Sequence, residues 1–253
     1  MKLNVTDKKE RWRCNIRGCR TEFSLRKGTF FENSNIPYDK AIFMLYSWAT
    51  DNVKHKHLWR EVNVSSVTII KWLSKIRNIC HESLISDPMV IGGENCIVEI
   101  DESMFSKRKN NHGRILPKQW VFGGICRETK ECFLVRVPDR QFKTLMPIIR
   151  RHIRPGSIIY SDKWKAYSKI DENDNYGHLT VNHTYHYVDP DTGCHTQHVE
   201  RFWRSAKEGN KNRYGTRRSM MDSYFGEFMW KRKNSGQDLF QLIMEEISVS
   251  YPV

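Results

Sequence analysis

Two kinds of apolar patterning divide the chain. Between residues 37 and 86 apolar positions recur at helical spacing. AIFMLYSWA (41–49) is nearly all apolar and predicts a buried helix, and HLWREV (57–62) predicts a short second one. NVSS then supplies turn and N-cap chemistry before VTIIKWLSKIRNIC (67–80), an amphipathic helix with Val67, Ile70, Leu73, Ile76 and Ile79 along one face. Lys71, Lys75 and Arg77 fall on its polar side. A short helix, a tight turn and a longer basic helix suggest a helix-turn-helix that sets these three cations against DNA. The turn lacks a glycine, so a generic helical subdomain is the competing reading.

SDPMVIGGEN (86–95), with its proline and paired glycines, reads as a linker, and after it the period changes. NCIVEID (95–101) predicts a buried strand; QWVFGGIC (119–126) and ECFLVRV (131–137) flank the turn RETK and predict a hairpin. KTLMPIIRRHI (143–153) predicts a helix and SIIYSD (157–162) another strand. Helices are expected over HVERFWRSAKEG (198–209), SMMDSYFGEFMWKRKN (219–234) and the segment near 238–248. Strands, hairpin, helix, strand, then helices make an α/β fold, a mixed sheet with helices packed on it, preceded by a small helical region. Three zones are expected: a basic turn-rich segment at 1–36, the helix-turn-helix region at 37–90, and the α/β region at 91–253.

Composition sharpens this picture. Twelve Phe, ten Tyr and eight Trp in 253 residues supply ample core and exclude intrinsic disorder. No apolar run approaches the ~20 residues of a membrane span, so a soluble chain with no membrane partner is expected. Lys and Arg outnumber Asp and Glu by 42 to 29, and the excess is spread over the chain rather than held in one tail. A net charge of +13 favours polyanions, nucleic acid foremost. Seven cysteines, an odd number, argue for a reducing intracellular compartment.

The candidate chemistry lies in carboxylates. Asp101 ends one apolar strand and Asp162 ends another, where rigid strands fix side chains beside open loops. Glu200 lies in the first turn of an expected helix. Three carboxylates converging from two strands and a helix could hold one or two Mg²⁺ or Mn²⁺ ions for phosphodiester chemistry. Glu102, Asp139 and Glu227 are rivals that periodicity does not exclude.

These residues also carry a resemblance. VEIDESMFSKRKNN, QWVFGG, SIIYSDKWKAY, VNHTYHYVDPDTGCHTQHVERFWRSAK and YFGEFMWKRKN, in this order, resemble the Merlin superfamily of DNA transposases and their bacterial insertion-sequence relatives. WRC…CR…FSLRKGTFFENS resembles the start of the same proteins. The resemblance implies an RNase H-like core with a DDE triad: Asp101 first, Asp162 second, Glu200 third, the last being Asn in some relatives. Lys207, seven residues beyond Glu200 on the same helix face, is implied as a DNA or phosphate contact. It further implies hydrolysis at transposon ends and transfer of the freed 3′-OH to target DNA. The partners would be terminal inverted repeats, target DNA and a homodimer or higher synaptic complex. The place of action would be the nucleus in a eukaryote, otherwise the cytoplasm with its nucleoid.

Several signals carry other readings. In the basic loop FSKRKNNHGR (105–114), Lys107, Arg108 and Lys109 are candidate backbone contacts beside the triad. His183, His186, Cys194, His195 and His198 have metal-like spacing but fall in the family's loop before the catalytic helix, so hydrogen-bonding or DNA-contacting roles are expected. Trp203, Phe225, Phe228 and Trp230 are expected in the core. Relatives often begin with a four-ligand zinc ribbon, whereas this chain offers only Cys14 and Cys19. Two ligands do not close a tetrahedral site, so zinc is not expected there. That half set favours the alternative of a domesticated or truncated derivative that binds DNA without cutting it.

Overall fold

The computed structural model describes residues 1–6, 9–19, 21–105, 119–168, 170, 175–213 and 215–252. They form two compact units, Met1–Ile79 with Gln237–Val253, and Cys80–Gly236.

The first unit opens with an antiparallel three-stranded sheet, β1 (Lys2–Thr6), β2 (Lys9–Arg13) and β3 (Glu22–Ser24). The register aligns Leu3, Trp12 and Phe23 across it. The sequence reading took this stretch as turns, because strands of three to five residues leave too short a period to see. Cys14 and Cys19 lie in the β2–β3 connection, where the Cys14 N–H donates to the Thr21 carbonyl at 3.0 Å.

Helices α1 (Tyr38–Ala49), α2 (His55–Val62) and α3 (Ser66–Ser86) follow, and α7 (Leu239–Ser250) packs on α1. The turn between α2 and α3 manages without glycine because Asn63 takes the left-handed conformation that ends α2, at φ 48°. Ser65 Oγ then accepts the Thr68 N–H at 3.2 Å and caps α3. The buried face of α3 is rotated from the expected one. Ile69, Trp72, Ile76, Ile79 and Cys80 are buried, whereas Val67 and Ile70 are exposed. The aromatic cluster of Phe30, Phe31 and Trp72, to which the 3.6-residue period alone is blind, sets that rotation.

The second unit carries a five-stranded sheet ordered β6-β5-β4-β7-β8. These strands are β4 (Ile97–Met104), β5 (Trp120–Cys126), β6 (Cys132–Val137), β7 (Ile158–Asp162) and β8 (Gly177–Val181). β4, β5 and β6 form an antiparallel meander, then α4 (Phe142–His152) crosses to β7, parallel to β4, with β8 parallel beyond it. This order and polarity make an RNase H-like α/β sheet. β8 went unread in the sequence, where GHLTV is short and half polar.

Alternation along β6 assigns the two faces. Phe133 stacks on His152 of α4, at 5.0 Å between rings. Cys132 and Leu134 join Val121 and Ile125 in a core layer under α5 (Gln197–Asn212) and α6 (Met221–Lys233). That layer holds Val199, Phe202, Trp203, Met221 and Phe225; Trp203, Phe225 and, outside the layer, Trp230 are thus buried as expected, whereas Phe228 is only partly buried against it. Arg136 of β6 and Asp222 of α6 form a two-pronged ion pair at its edge.

Candidate active site

The ladder between β4 and β7 pairs Val98 with Ile159 and Glu99 with Tyr160. The ladder ends at that pair, and two residues further on in each strand come Asp101 and Asp162, the last residue of β7. β4 is the strand at which the chain order in the sheet reverses, so Asp101, in mid-strand just past the part of β4 that pairs with β7, and Asp162, at the carboxyl end of β7, lie beside a topological switch point. The Asp162 charge acts on both Asp101 and Glu102, and the Glu102 charge acts on Asp101.

Asp101 is set by its surroundings. The Glu102 N–H donates to its Oδ1 at 2.7 Å, and Trp203 Nε1 donates to its Oδ2 at 3.0 Å. Burial and then the neighbouring Glu102 charge push its pKa up to about 7, against the opposing effect of these hydrogen bonds. Glu102 is raised to about 7 as well, chiefly by burial, while the Tyr167 hydroxyl, donating at 2.5 Å, pulls the other way. The Tyr167 hydroxyl is itself held well above its ordinary value by burial and by these carboxylates. The cluster is therefore rich in buried negative charge.

Helix α5 is fastened along β4 residue by residue. Glu99 is fully buried and accepts the backbone N–H groups of His198 and Val199 at 2.8 and 2.9 Å, in the first turn of α5. Two strand residues on, Asp101 meets Trp203; two further on, Ser103 Oγ accepts from Lys207 Nζ. Two strand residues rise about 6.6 Å and four helical residues about 6.0 Å, so the spacings keep step. Arg127 locks the start of the ladder, donating from Nε to Glu99 at 2.5 Å and from a terminal nitrogen to the His195 carbonyl at 2.9 Å. Gly123, paired with Asp101 in the sheet, makes room for the indole: a Cβ there would come 2.9 Å from the Trp203 ring.

Glu200 lies one turn before Trp203 on the same helix side and is exposed. The carboxylate oxygens of Asp101, Asp162 and Glu200 do not gather within 4.8 Å of one another. Among the described residues the groups that do are Glu99, His195 and His198, and Cys96, Cys126 and Glu128. The first is the helix anchor, its carboxylate already engaged by Arg127, His198 and Val199. His183 pairs with Thr196 Oγ1 at 2.7 Å, a hydrogen-bonding role of the kind expected.

Of the rivals, Glu102 is in the cluster. Asp139 accepts the Gln141 N–H and the Thr144 hydroxyl at the start of α4, and Glu227 is half-buried on α6. Of the helix-turn-helix cations, Lys71 is exposed. Lys75 instead donates into the Phe30 carbonyl and lies 4.6 Å over that ring, and Arg77 is 4% exposed. Lys75 and Arg77 are thus turned inward rather than presented to solvent, following the rotation of α3. Lys107, Arg108 and Lys109 lie outside the described residues. The sequence reading missed Glu99, Arg127 and the polar role of Trp203. An acid inside an apolar strand, two residues before Asp101, was the available signal for Glu99.

The ISXO2-like transposase domain model matches residues 91–233, more than half of the chain. The chain belongs to this transposase family. It is 30% identical over 103 residues to an uncharacterized transposase-like protein of Haemophilus influenzae, covering 41% of this chain and 81% of that protein. It is 25% identical over 168 residues to the male abnormal protein mab-31 of Caenorhabditis elegans, covering 58% of this chain but only 38% of the worm protein. Among solved structures it is similar to the HTLV-2 integrase catalytic core domain in complex with magnesium. That match has 13% identity and a TM-score of 0.36, over 60% of this chain and 99% of that one. It is also similar to a pre-cleavage Mos1 transpososome, with 10% identity and a TM-score of 0.26, over 83% and 78%. The transposase match spans the whole ladder from Glu99 to Lys207.

Proposed function

We propose that this chain is a DNA transposase of the Merlin kind, with Asp101, Asp162 and Glu200 as its acidic triad. The observation that carries the reading is the nearness of Asp101 and Asp162, each two residues past the last paired residues of β4 and β7, with α5 fastened alongside so that Glu200 precedes Trp203 by one turn. A divalent metal fits the donor set: hard oxygens, two of them on neighbouring strands, in a pocket whose buried carboxylates repel one another. Each Asp101 oxygen accepts one N–H and keeps a lone pair. Asp101, Asp162 and Glu200 would hold Mg²⁺ or Mn²⁺, which when bound supplies Lewis-acid activation of a water or 3′-OH and charge neutralisation at the phosphate.

The chain's own groups set the geometry. Trp203 orients Asp101, and Glu99 with Arg127 fixes the rise of α5 and so the position of Glu200. Lys207, turned toward β4 at Ser103, is placed to contact a phosphate near the triad. Transposon ends and target DNA are the substrates, and two ends call for a dimer or larger assembly.

The test is Mg²⁺- or Mn²⁺-dependent cleavage of a duplex carrying the DNA that flanks this gene, with wild type and Asp162→Asn side by side. Wild type is expected to cut and leave 3′-OH ends, and the variant to bind the duplex without cutting. DNA binding without cutting by wild type would favour the derived DNA-binding protein that the Cys14 and Cys19 half set suggests.

A further inference from the structure

Arg140, Phe142 and Trp164 have no task in this mechanism, yet they surround one end of the site. β6, β4 and β7 all run the same way, so Arg140 after β6 and Trp164 after β7 leave the sheet at the end that carries Asp101 and Asp162. Trp120 opens the oppositely running β5 at that same end. The Arg140 guanidinium lies between two indoles, 4.2 Å from the Trp120 centroid and 4.5 Å from that of Trp164.

Trp164 is held on two further sides. Its Nε1 donates to the Arg140 carbonyl at 3.3 Å, and its backbone N–H donates to Asp162 Oδ1 at 3.1 Å. The indole is thus held by the Arg140 carbonyl, and its backbone is tied to a triad carboxylate. Despite these ties Trp164 is 42% exposed and Phe142 37% exposed. The two rings, with Arg140 and Lys165, border an open groove of about 430 Å³ whose walls are mostly apolar and whose rim is cationic.

A single exposed aromatic needs no explanation. A fixed indole beside a second exposed ring, with cations at the rim and the proposed catalytic carboxylate Asp162 two residues away, is an arrangement that accepts a base and its flanking phosphates. A flat aromatic face with few fixed polar donors suits any base, because every base presents a π-face.

We propose that this groove seats one unstacked nucleobase of the DNA strand processed at Asp101 and Asp162, stacked on Trp164, with Lys165 toward a flanking phosphate. The proposal rests on the transposase reading. In duplex DNA it requires the base next to the cut to leave the stack, which gives the enzyme a local melting step before chemistry.

Fluorescence anisotropy of the full chain tests it, using an oligonucleotide of about 12 thymidines and an abasic strand of equal length. The two probes carry the same phosphates and differ only in bases. Wild type is expected to bind the thymidine strand about tenfold more tightly, the stacking contribution of one well-seated base. Trp164→Ala should abolish that preference, and Trp164→Phe should keep most of it. Equal binding of both strands by wild type, or a preference that survives in Trp164→Ala, would overturn the proposal. A preference that behaves as expected in a chain that never cuts DNA would uphold the base seat and remove the catalytic reading instead.

Discussion

Gly123 is the residue on which the site's packing turns. It stands opposite Asp101 in the sheet, and an added methyl would meet the Trp203 ring at 2.9 Å and the Leu134 side chain at 3.0 Å. The indole is buried under α5 and has nowhere to retreat without releasing the Asp101 carboxylate. Gly123→Ala is therefore expected to cost about 1–3 kcal/mol, read as a lower urea midpoint, and to lower activity beyond that loss. Unchanged stability and activity would show that the ring can shift freely. In the sequence, Asp101 and Asp162 were legible because each closes an apolar run. Gly123 and Trp203 were not, since a glycine in a strand and an aromatic on a helix look like ordinary core until the register joins them.

Among the elements, α5 depends on a carboxylate that is not its own. Glu99 binds the first turn of the helix and the Arg127 guanidinium inside a fully buried pocket. Glu99→Ala would leave Arg127 and two helix N–H groups without that acceptor, so a loss of about 3–5 kcal/mol is expected by thermal or chemical unfolding. Glu99→Gln, which keeps the shape and one acceptor oxygen, should lose less. A near-neutral Glu99→Ala would mean that α5 is held by its apolar face alone. Helix existence along this unit was legible from the 3.6-residue period, and so was the β5–β6 hairpin from its RETK turn. What periodicity did not give was which helix lies along which strand, because that is fixed by contacts a hundred residues apart, such as the one from the Val199 N–H to Glu99. The same limit explains α3, whose inward face is chosen by Phe30 and Phe31 rather than by its own pattern.

For the molecule as a whole, pH acts through buried groups. His152 stacks on Phe133 and holds the Met89 carbonyl at 2.8 Å, and burial, chiefly, lowers its pKa below the ordinary 6.5. In the unfolded chain the imidazole takes a proton near its ordinary value; in the folded chain it does so only at lower pH. Its contribution to stability is thus present above that value and is lost as pH falls below it. Unfolding midpoints measured from pH 8 down to pH 5.5 should fall less steeply in His152→Asn than in wild type. Parallel slopes would show that this imidazole does not carry the acid sensitivity. At this scale the net charge of +13 was legible at once as an attraction to nucleic acid. The placing of individual cations was not, since Lys75 and Arg77 are drawn inward by their surroundings.

The central claim is that Asp101, Asp162 and Glu200 carry the chemistry, while Glu102, equally buried in negative charge, supports them from behind through Tyr167. The most direct test measures metal-dependent cleavage of the flanking-DNA duplex by Glu200→Gln and Glu102→Gln in parallel, with duplex binding followed in the same samples. Glu200→Gln is expected to lose at least about a thousandfold in cleavage rate, the scale of several kcal/mol of transition-state stabilisation, with binding retained, while Glu102→Gln still cuts. Cleavage that survives in Glu200→Gln and disappears in Glu102→Gln would contradict it and move the third acid from α5 to β4.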